Sequence, residues 1–307
     1  MGGDHSPVHG HLTAAGRHRR PLLAAFSLAL IVLVVEVVGS LLTGSLALLA
    51  DAGHVLTDAA GIGLALLATR YSALPSTTER TYGYLRAEML AAVVNAVLVL
   101  GIALFIVTEA VRRWNASPDV DGKAMLAFGI VALVANAISL ALLHKGRRES
   151  LNVRGAYLEV MGDLLGSVAV IVAAIVIATT GYSRADQWAS LLIAALIVPR
   201  AIRLLTEALD VLMEATPKGM DLGDVRRHIL AVSGVAAVHD LHAWTITSGV
   251  PVLSAHVVVD DVTWMTGGGG AVLDRLGECL AAHFDVEHCT FQIEPLGHTE
   301  HEASMHP

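Results

Sequence analysis

The feature that most constrains this sequence is a series of six apolar runs, each close to the length of a membrane-spanning helix. A helix needs about 20 consecutive apolar residues to cross the hydrocarbon core of a bilayer. The runs cover residues 22–42, 46–68, 90–111, 124–143, 157–180 and 188–205. Because 54% of the residues are hydrophobic and only 16% are charged, we predict a multi-pass membrane protein embedded in a lipid bilayer.

Six spans place both termini on the same side of the membrane, and the basic residues of the loops predict which side. Lys and Arg residues concentrate before the first run, between the second and third runs, and between the fourth and fifth runs. Loops enriched in Lys and Arg remain in the cytoplasm. We therefore expect both termini to be cytoplasmic and the protein to lie in the plasma (inner) membrane.

Hydropathy falls after the sixth run, at a linker that contains Pro217, and residues 215–295 are predicted to form a small cytoplasmic domain. The pattern predicts helices at 221–231 and 270–284 and strands at 235–247, 252–260 and 286–294. This αββαβ order indicates a ferredoxin-like α+β fold that follows an all-α six-helix transmembrane bundle at residues 21–214. The His-containing arm at 1–20 and the His-containing tail at 296–307 are predicted to be disordered.

The charge of the chain lies in its C-terminal part. Residues 215–307 contain 12 acidic and 4 basic residues, whereas residues 1–214 contain 16 of each. An acidic domain of this kind argues against nucleic acid as a partner and is compatible with cations as ligands.

Three ionisable residues, Asp51, His54 and Asp58, interrupt the second apolar run. His54 and Asp58 are four residues apart and share one helix face, with Asp51 close to the same stripe. Ionisable residues at membrane depth mark functional sites, since an unpaired charge there is costly. The alternative is a salt bridge to a neighbouring helix, which we expect to be less favoured because we expect no Lys or Arg near the cluster within the apolar runs.

A second pair, Glu159 and Asp163, occupies the fifth run with the same four-residue spacing. If the second and fifth helices touch, the imidazole of His54 converges with three carboxylates, those of Asp58, Glu159 and Asp163. One nitrogen and three carboxylate oxygens can coordinate a divalent cation in tetrahedral geometry. The sequence therefore predicts a cation site within the bundle.

Several stretches resemble the cation diffusion facilitator family, in particular its bacterial zinc exporters. They are SLALLADAGHVLTDAAG at 45–61, TYGYLRAE at 81–88, YLEVMGDLLGSV at 157–168, and the VHDLHAW, LSAHVVV and QIE segments of the C-terminal domain. The resemblance implies a homodimeric antiporter, not an enzyme, that exports a divalent metal in exchange for protons and has no prosthetic group. It also implies that His54, Asp58 and Asp163 are metal ligands.

Glu159 departs from the family pattern, because zinc-transporting members usually have histidine at that position. A carboxylate there makes the ligand set harder and changes its formal charge from −2 to −3, and harder oxygen ligands suit Mn²⁺ better than nitrogen does. Carboxylates also bind Zn²⁺. We therefore place zinc first, with Co²⁺, Cd²⁺, Fe²⁺ and Mn²⁺ as alternatives.

The same resemblance implies further sites outside the bundle. His239, His256 and Glu294 match positions that bind metal in the cytoplasmic domain, with Gln292 at a position that is often histidine. Within the bundle, Asp51 is predicted to be an accessory acid beside the transport site, since the four ligands are complete without it. Arg86 and Glu214 match a charge interlock near the dimer contact.

Two other classes of function are compatible with acids in membrane helices. A passive metal channel or a metal-sensing membrane scaffold is the first alternative. A metal-dependent intramembrane lipid phosphotransferase is less favoured, because such enzymes have a dense run of aspartates together with a basic residue on one stretch.

Overall fold

A computed structural model describes residues 19–72, 74–115, 119–145, 151–284, 286 and 288–298. Within these residues, six helices are long and apolar enough to cross a membrane, which confirms the predicted fold class. They are α1 (Arg19–Thr43), α2 (Leu46–Ser72), α3 (Ala87–Arg113), α4 (Gly122–His144), α5 (Leu151–Thr180) and α6 (Arg184–Leu212). Residues 1–18 of the predicted arm (1–20) and residues 299–307 of the predicted tail (296–307) lie outside the described residues.

All six of these helices are longer than the apolar runs that predicted them. α6, for example, extends from Arg184 to Leu212, whereas its apolar run covers 188–205. Backbone hydrogen bonding continues through polar residues at both helix ends, while hydropathy detects only the stretch that suits lipid. The sequence therefore predicted the correct number of spans, but each predicted span is shorter than its helix.

The chain divides into two compact units, one of residues 1–64 and 94–203 and one of residues 65–93 and 204–307. In the first unit, small residues let α4 pack closely against its neighbours. A Cβ added at Gly39 of α1 would lie 2.7 Å from the Phe128 ring of α4, and one at Gly122 would lie 2.8 Å from the Ala178 nitrogen of α5. Close packing through small residues is typical of membrane helices.

Asp186, at the beginning of α6, fixes the beginning of α2. Its carboxylate accepts hydrogen bonds from the Ser45 hydroxyl (2.6 Å) and from the backbone N–H groups of Leu46 (2.7 Å) and Ala47 (3.1 Å). These N–H groups have no partner within their own helix, and a negative charge there complements the helix dipole. The helix that carries His54 is thereby fixed at its first turn.

The second unit contains the C-terminal domain. Its elements are α7 (Leu222–Leu230), β1 (Val235–Thr245), β2 (Pro251–Val259), α8 (Asp261–Met265), α9 (Gly269–Phe284) and β3 (His288–Glu294). The sheet order is β1-β2-β3, with β1 antiparallel and β3 parallel to β2. This agrees with the predicted αββαβ order, to which the structure adds the short α8.

The core of this domain lies between the sheet and two of its helices. Ile229 of α7 and Leu276 and Leu280 of α9 are fully buried against Leu253 and Val257 of β2. The apolar side chains of α7 and α9 recur at helical spacing, whereas those of β2 occupy most of the strand because it is the central one.

Candidate metal sites

Three side chains from two helices form a cluster in the membrane unit. One ligand atom each from His54, Asp58 and Asp163 can be chosen so that all lie within 4.8 Å of one another. His54 Nε2 is 3.4 Å from Asp163 Oδ1 and 3.9 Å from Asp58 Oδ2. His54 and Asp58 are one helical turn apart on α2, and Asp163 approaches from α5, as the sequence predicted.

Part of this cluster is buried without hydrogen-bonding partners. Within the described residues, Asp163 Oδ1 and His54 Nδ1 are enclosed and have no hydrogen-bond partner. Buried polar atoms are nearly always hydrogen-bonded, so an enclosed carboxylate oxygen that lies 3.4 Å from a histidine nitrogen without a hydrogen bond needs an explanation. A bound cation supplies one, since carboxylate oxygens and imidazole nitrogens are its usual ligands.

Glu159, the fourth predicted ligand, does not belong to this cluster. Its Oε1 accepts a 2.6 Å hydrogen bond from Nη2 of Arg200, which lies on α6. The expectation that no Lys or Arg lies near the cluster within the apolar runs is therefore wrong, because the charge of Arg200 also acts on His54. Arg200 lies inside the sixth apolar run, and its apolar neighbours keep the mean hydropathy of that run high. The role of Glu159 as a ligand stays a prediction.

Asp51 lies beside the cluster and is more deeply buried than its members. It is 1% exposed, and both of its carboxyl oxygens are enclosed. Glu36 of α1, which is 0% exposed, interacts directly with it. The two acids form a second buried group next to the cation cluster. The accessory role of Asp51 stays a prediction.

A short hydrogen-bonded chain positions the part of α5 that carries Asp163. Asn136 Nδ2 of α4 donates to the Ser167 hydroxyl (3.2 Å), and this hydroxyl donates to the Asp163 carbonyl oxygen (3.0 Å). Asn136 therefore joins two helices, a role that is typical of amide side chains in membrane proteins.

A second cluster lies on the sheet of the C-terminal domain. Ligand atoms of His239, His256 and Glu294 also fall within 4.8 Å of one another. Glu294 is 1% exposed; its Oε2 lies 3.0 Å from His239 Nε2 and its Oε1 lies 2.9 Å from His256 Nδ1. Gln292 Nε2 donates to Glu294 Oε1 at 2.8 Å, so all four predicted residues meet.

Strand register explains why these residues meet. His239 of β1 is paired with His256 of β2, and His256 is paired with Gln292 of β3. Glu294 follows Gln292 by two residues and therefore points to the same face of the sheet. Three adjacent strands thus bring distant parts of the sequence to one spot.

Asp240 is a neighbour of this cluster that the sequence did not identify. Its Oδ2 lies 3.7 Å from His256 Nε2, and its Oδ1 lies 2.9 Å from His242 Nε2. Asp240 has a φ of 48°, at a register shift of β1 between His239 and His242. The bulge turns the carboxylate toward the histidines, and strict alternation along the strand does not predict it.

Arg86 and Glu214 form the predicted ion pair. Arg86 Nη2 donates to Glu214 Oε1 at 2.6 Å, and both side chains are exposed. Nearby, the Thr247 hydroxyl donates to Glu88 Oε2 at 2.5 Å, and the Tyr82 and His288 rings are 5.9 Å apart. The segment at 81–88 therefore contacts the C-terminal domain within the second unit.

Comparison with known families agrees with both parts of this description. Residues 22–213 match the cation efflux transmembrane domain, and residues 217–296 match the cytoplasmic domain of cation efflux proteins. The chain belongs to the cation diffusion facilitator family. Members of this family are multi-pass membrane transporters rather than enzymes, and the sequence-based prediction of the family is confirmed.

Individual members of the family are similar over their whole length. The metal cation efflux system protein CzcD of Cupriavidus metallidurans is 41% identical over 100% of this chain and 94% of its own. The zinc transporter ZitB of Escherichia coli is 41% identical over 96% of this chain and 93% of its own. A cadmium, cobalt and zinc/H(+)-K(+) antiporter of Bacillus subtilis is 37% identical over 96% and 95%.

Proposed function

We propose that this chain exports divalent metal cations from the cytoplasm in exchange for protons, with zinc as the principal substrate. The supporting observation is the cluster of His54, Asp58 and Asp163, whose ligand atoms converge inside the transmembrane unit. A relative named as a metal cation efflux system protein supports export, and a relative named as a zinc transporter supports zinc as the substrate.

The ligand set favours zinc over the alternatives without excluding them. One imidazole and two carboxylates leave a fourth position for water in a tetrahedral site. Zinc binds such mixed nitrogen and oxygen sites more tightly than Mn²⁺ according to the general affinity order. Co²⁺, Cd²⁺, Fe²⁺ and Mn²⁺ therefore remain secondary substrates in the proposal.

Proton exchange follows from the chemistry of these ligands. A metal binds to neutral imidazole and to ionised carboxylates, so binding releases the protons that these groups carry. When the site opens to a more acidic compartment, protons compete with the metal and favour its release. The antiporter name of the Bacillus subtilis relative supports proton coupling.

The remaining assignments belong to the same proposal. The protein is a homodimer in the inner membrane, with both termini in the cytoplasm. His239, His256 and Glu294 bind a second metal ion, which relates the cytoplasmic metal concentration to dimer assembly. The contacts of Glu294 with both histidines support this second site.

Transport by the full-length chain in proteoliposomes tests the proposal. Zinc uptake is followed with an enclosed fluorescent zinc indicator, and proton movement with an enclosed pH indicator, with and without an acidic interior. We expect the pH gradient to drive zinc uptake and each zinc pulse to release protons. Asp163→Asn should lower uptake at least about tenfold, as expected when a metal site is damaged.

Asp119→Asn is the matched control, because Asp119 is an exposed acid that precedes α4. It should transport zinc like the wild type. Zinc flux that ignores the pH gradient would favour the channel alternative, and zinc binding without any flux would favour the metal-sensing scaffold.

A further inference from the structure

Arg200 lies in the membrane-spanning unit but is not a ligand of the transport site described above. It lies on α6, and its guanidinium contacts Glu159 of α5 at 2.6 Å. Arginine inside a membrane helix is rare and marks a functional position when it has a defined partner. Glu159 is that partner, one turn before the ligand Asp163.

The ion pair lies next to the cation cluster. The charge of Glu159 interacts with those of Asp58 and Asp163, and the charge of Arg200 acts on Asp163 and on His54. Glu159 is therefore near the ion position but is bound to a guanidinium instead. A carboxylate engaged by arginine at hydrogen-bonding distance has one fewer oxygen to offer a metal.

The formal charges explain why a basic residue is needed here. With neutral His54, the three carboxylates of Asp58, Glu159 and Asp163 give a charge of −3, and Arg200 returns it to −2. A charge of −2 matches one divalent ion. Arg200 therefore offsets the charge of the third carboxylate, that of Glu159.

We propose that Arg200 is a specificity-determining residue that binds Glu159 in place of the transported ion. The ion is thereby restricted to one imidazole and two aspartates, and this proposal replaces the prediction from the sequence that Glu159 is a fourth ligand. The inference rests on the proposed function, since it assigns a metal preference to the same site. Without Arg200, Glu159 joins the ligand set, and the site becomes a harder, three-carboxylate site that favours Mn²⁺ relative to Zn²⁺.

The surroundings of the pair allow this exchange. The Arg200 and Glu159 side chains are 52% and 38% exposed, so neither is fixed by close packing. Pro199 precedes Arg200 and has no N–H to donate to the Ala195 carbonyl, so the helix lacks one hydrogen bond at this turn. The ion pair with Arg200, rather than close packing of the side chain, holds the Glu159 carboxylate outside the cluster of His54, Asp58 and Asp163.

The ratio of Mn²⁺ to Zn²⁺ transport by the full-length chain tests the inference. Initial uptake rates of the two ions are measured in proteoliposomes for the wild type, Arg200→Gln, Arg200→Lys and the double variant Glu159→Gln/Arg200→Gln. We expect Arg200→Gln to raise the ratio about tenfold, in the range that residues around a metal site control. The Mn²⁺ to Zn²⁺ ratio of Arg200→Lys and of the double variant should stay within about twofold of the wild-type ratio. The effect depends on the interaction between the side chains at positions 159 and 200, so removing both partners should cancel it.

A change in overall rate alone reflects damage to the fold, whereas a change in the ratio reflects the ligand set. Arg112→Gln is the matched control, since Arg112 forms an ion pair on α3 with Glu109. Its ratio should equal that of the wild type. An unchanged ratio in Arg200→Gln, or an equal rise in the double variant, overturns the inference.

Glu159→Gln provides an independent test if Arg200→Gln does not fold. Because Glu159 is not bound to the ion in this proposal, removing its charge should leave the ratio within about twofold of the wild type. A fall in the ratio would identify Glu159 as a ligand and overturn the inference. A wild-type chain that transports neither ion would overturn the proposed function itself.

Discussion

Gly166 of α5 lies directly against the carboxylate of Asp51 on α2. A Cβ at position 166 would collide with Asp51 Oδ1. Asp51 precedes His54 by one turn of α2, and Gly166 follows Asp163 by about one turn of α5. The closeness of the two helices at this level therefore sets the distance between the ligands that they carry.

We predict that Gly166→Ala will separate α2 from α5 and impair transport. The added methyl group meets a fully buried carboxylate, and overpacking of this kind costs about 1–3 kcal/mol. Zinc uptake should fall about tenfold or more, and the midpoint of thermal unfolding in detergent should decrease. Gly162→Ala is the control on the same helix, because among the described residues no other part of the chain lies within 4 Å of a Cβ there, apart from the backbone of α5 itself. Wild-type uptake by Gly166→Ala would show that this contact does not position the ligands.

A second prediction concerns the carboxylate that caps α2. Asp186→Ala removes the acceptor of three hydrogen bonds and leaves the N–H groups of Leu46 and Ala47 buried without a partner. The loss should cost about 1–3 kcal/mol for each unsatisfied group. Thermal unfolding followed by intrinsic fluorescence measures this loss.

The matched control is Asp121→Ala, which removes the exposed cap of α4 that accepts from Lys123 and Ala124. Loss of an exposed cap typically costs about 1 kcal/mol. Equal destabilisation by the two variants would indicate that Asp186 contributes no more than an ordinary cap.

The sequence predicted the fold well because two strong signals agree. Apolar runs of spanning length indicate helices without reference to tertiary contacts, and the fall in hydropathy near Pro217 separates the soluble part. The ends of the helices were less accurate, since hydrogen bonding in α5 and α6 continues through polar residues that hydropathy excludes.

Only those parts of the candidate site that depend on the spacing of residues along one helix could be predicted from the sequence. A four-residue spacing places His54 and Asp58 on one face of a helix, and it does the same for Glu159 and Asp163. Periodicity carries no information about what a third helix contributes, so the contact between Arg200 and Glu159 could not be predicted. The contact of Asp240 with His256 could not be predicted either, because the bulge that produces it breaks the alternation on which strand prediction relies.

A third prediction concerns the number of zinc ions bound by the full-length chain in detergent. If both clusters bind metal, equilibrium dialysis should give two zinc ions per chain. Asp163→Asn and His256→Ala should each remove one, because each variant loses a ligand of a different cluster. His283→Ala is the control, since His283 is an exposed residue of α9 outside both clusters. Two bound ions in the His256→Ala variant would contradict metal binding by the C-terminal cluster.

The last prediction concerns the ion pair between Arg86 and Glu214, which we expect to act as a charge interlock near the dimer contact. Arg86→Glu replaces an attraction by a repulsion and should lower the dimer fraction measured by light scattering after gel filtration. The charge swap Arg86→Glu/Glu214→Arg should restore it. An exposed ion pair contributes only about 0.2–1 kcal/mol to the stability of one chain, so the unfolding temperature should change little.

The ion pair between Lys218 and Glu207 offers a matched control for this experiment. It is also exposed, with Lys218 Nζ 2.9 Å from Glu207 Oε1, and it lies in the same unit. Lys218→Glu should therefore alter the net charge as Arg86→Glu does and leave the dimer fraction unchanged. An equal loss of dimer in both variants would mean that net charge, rather than the pair at Arg86, controls assembly.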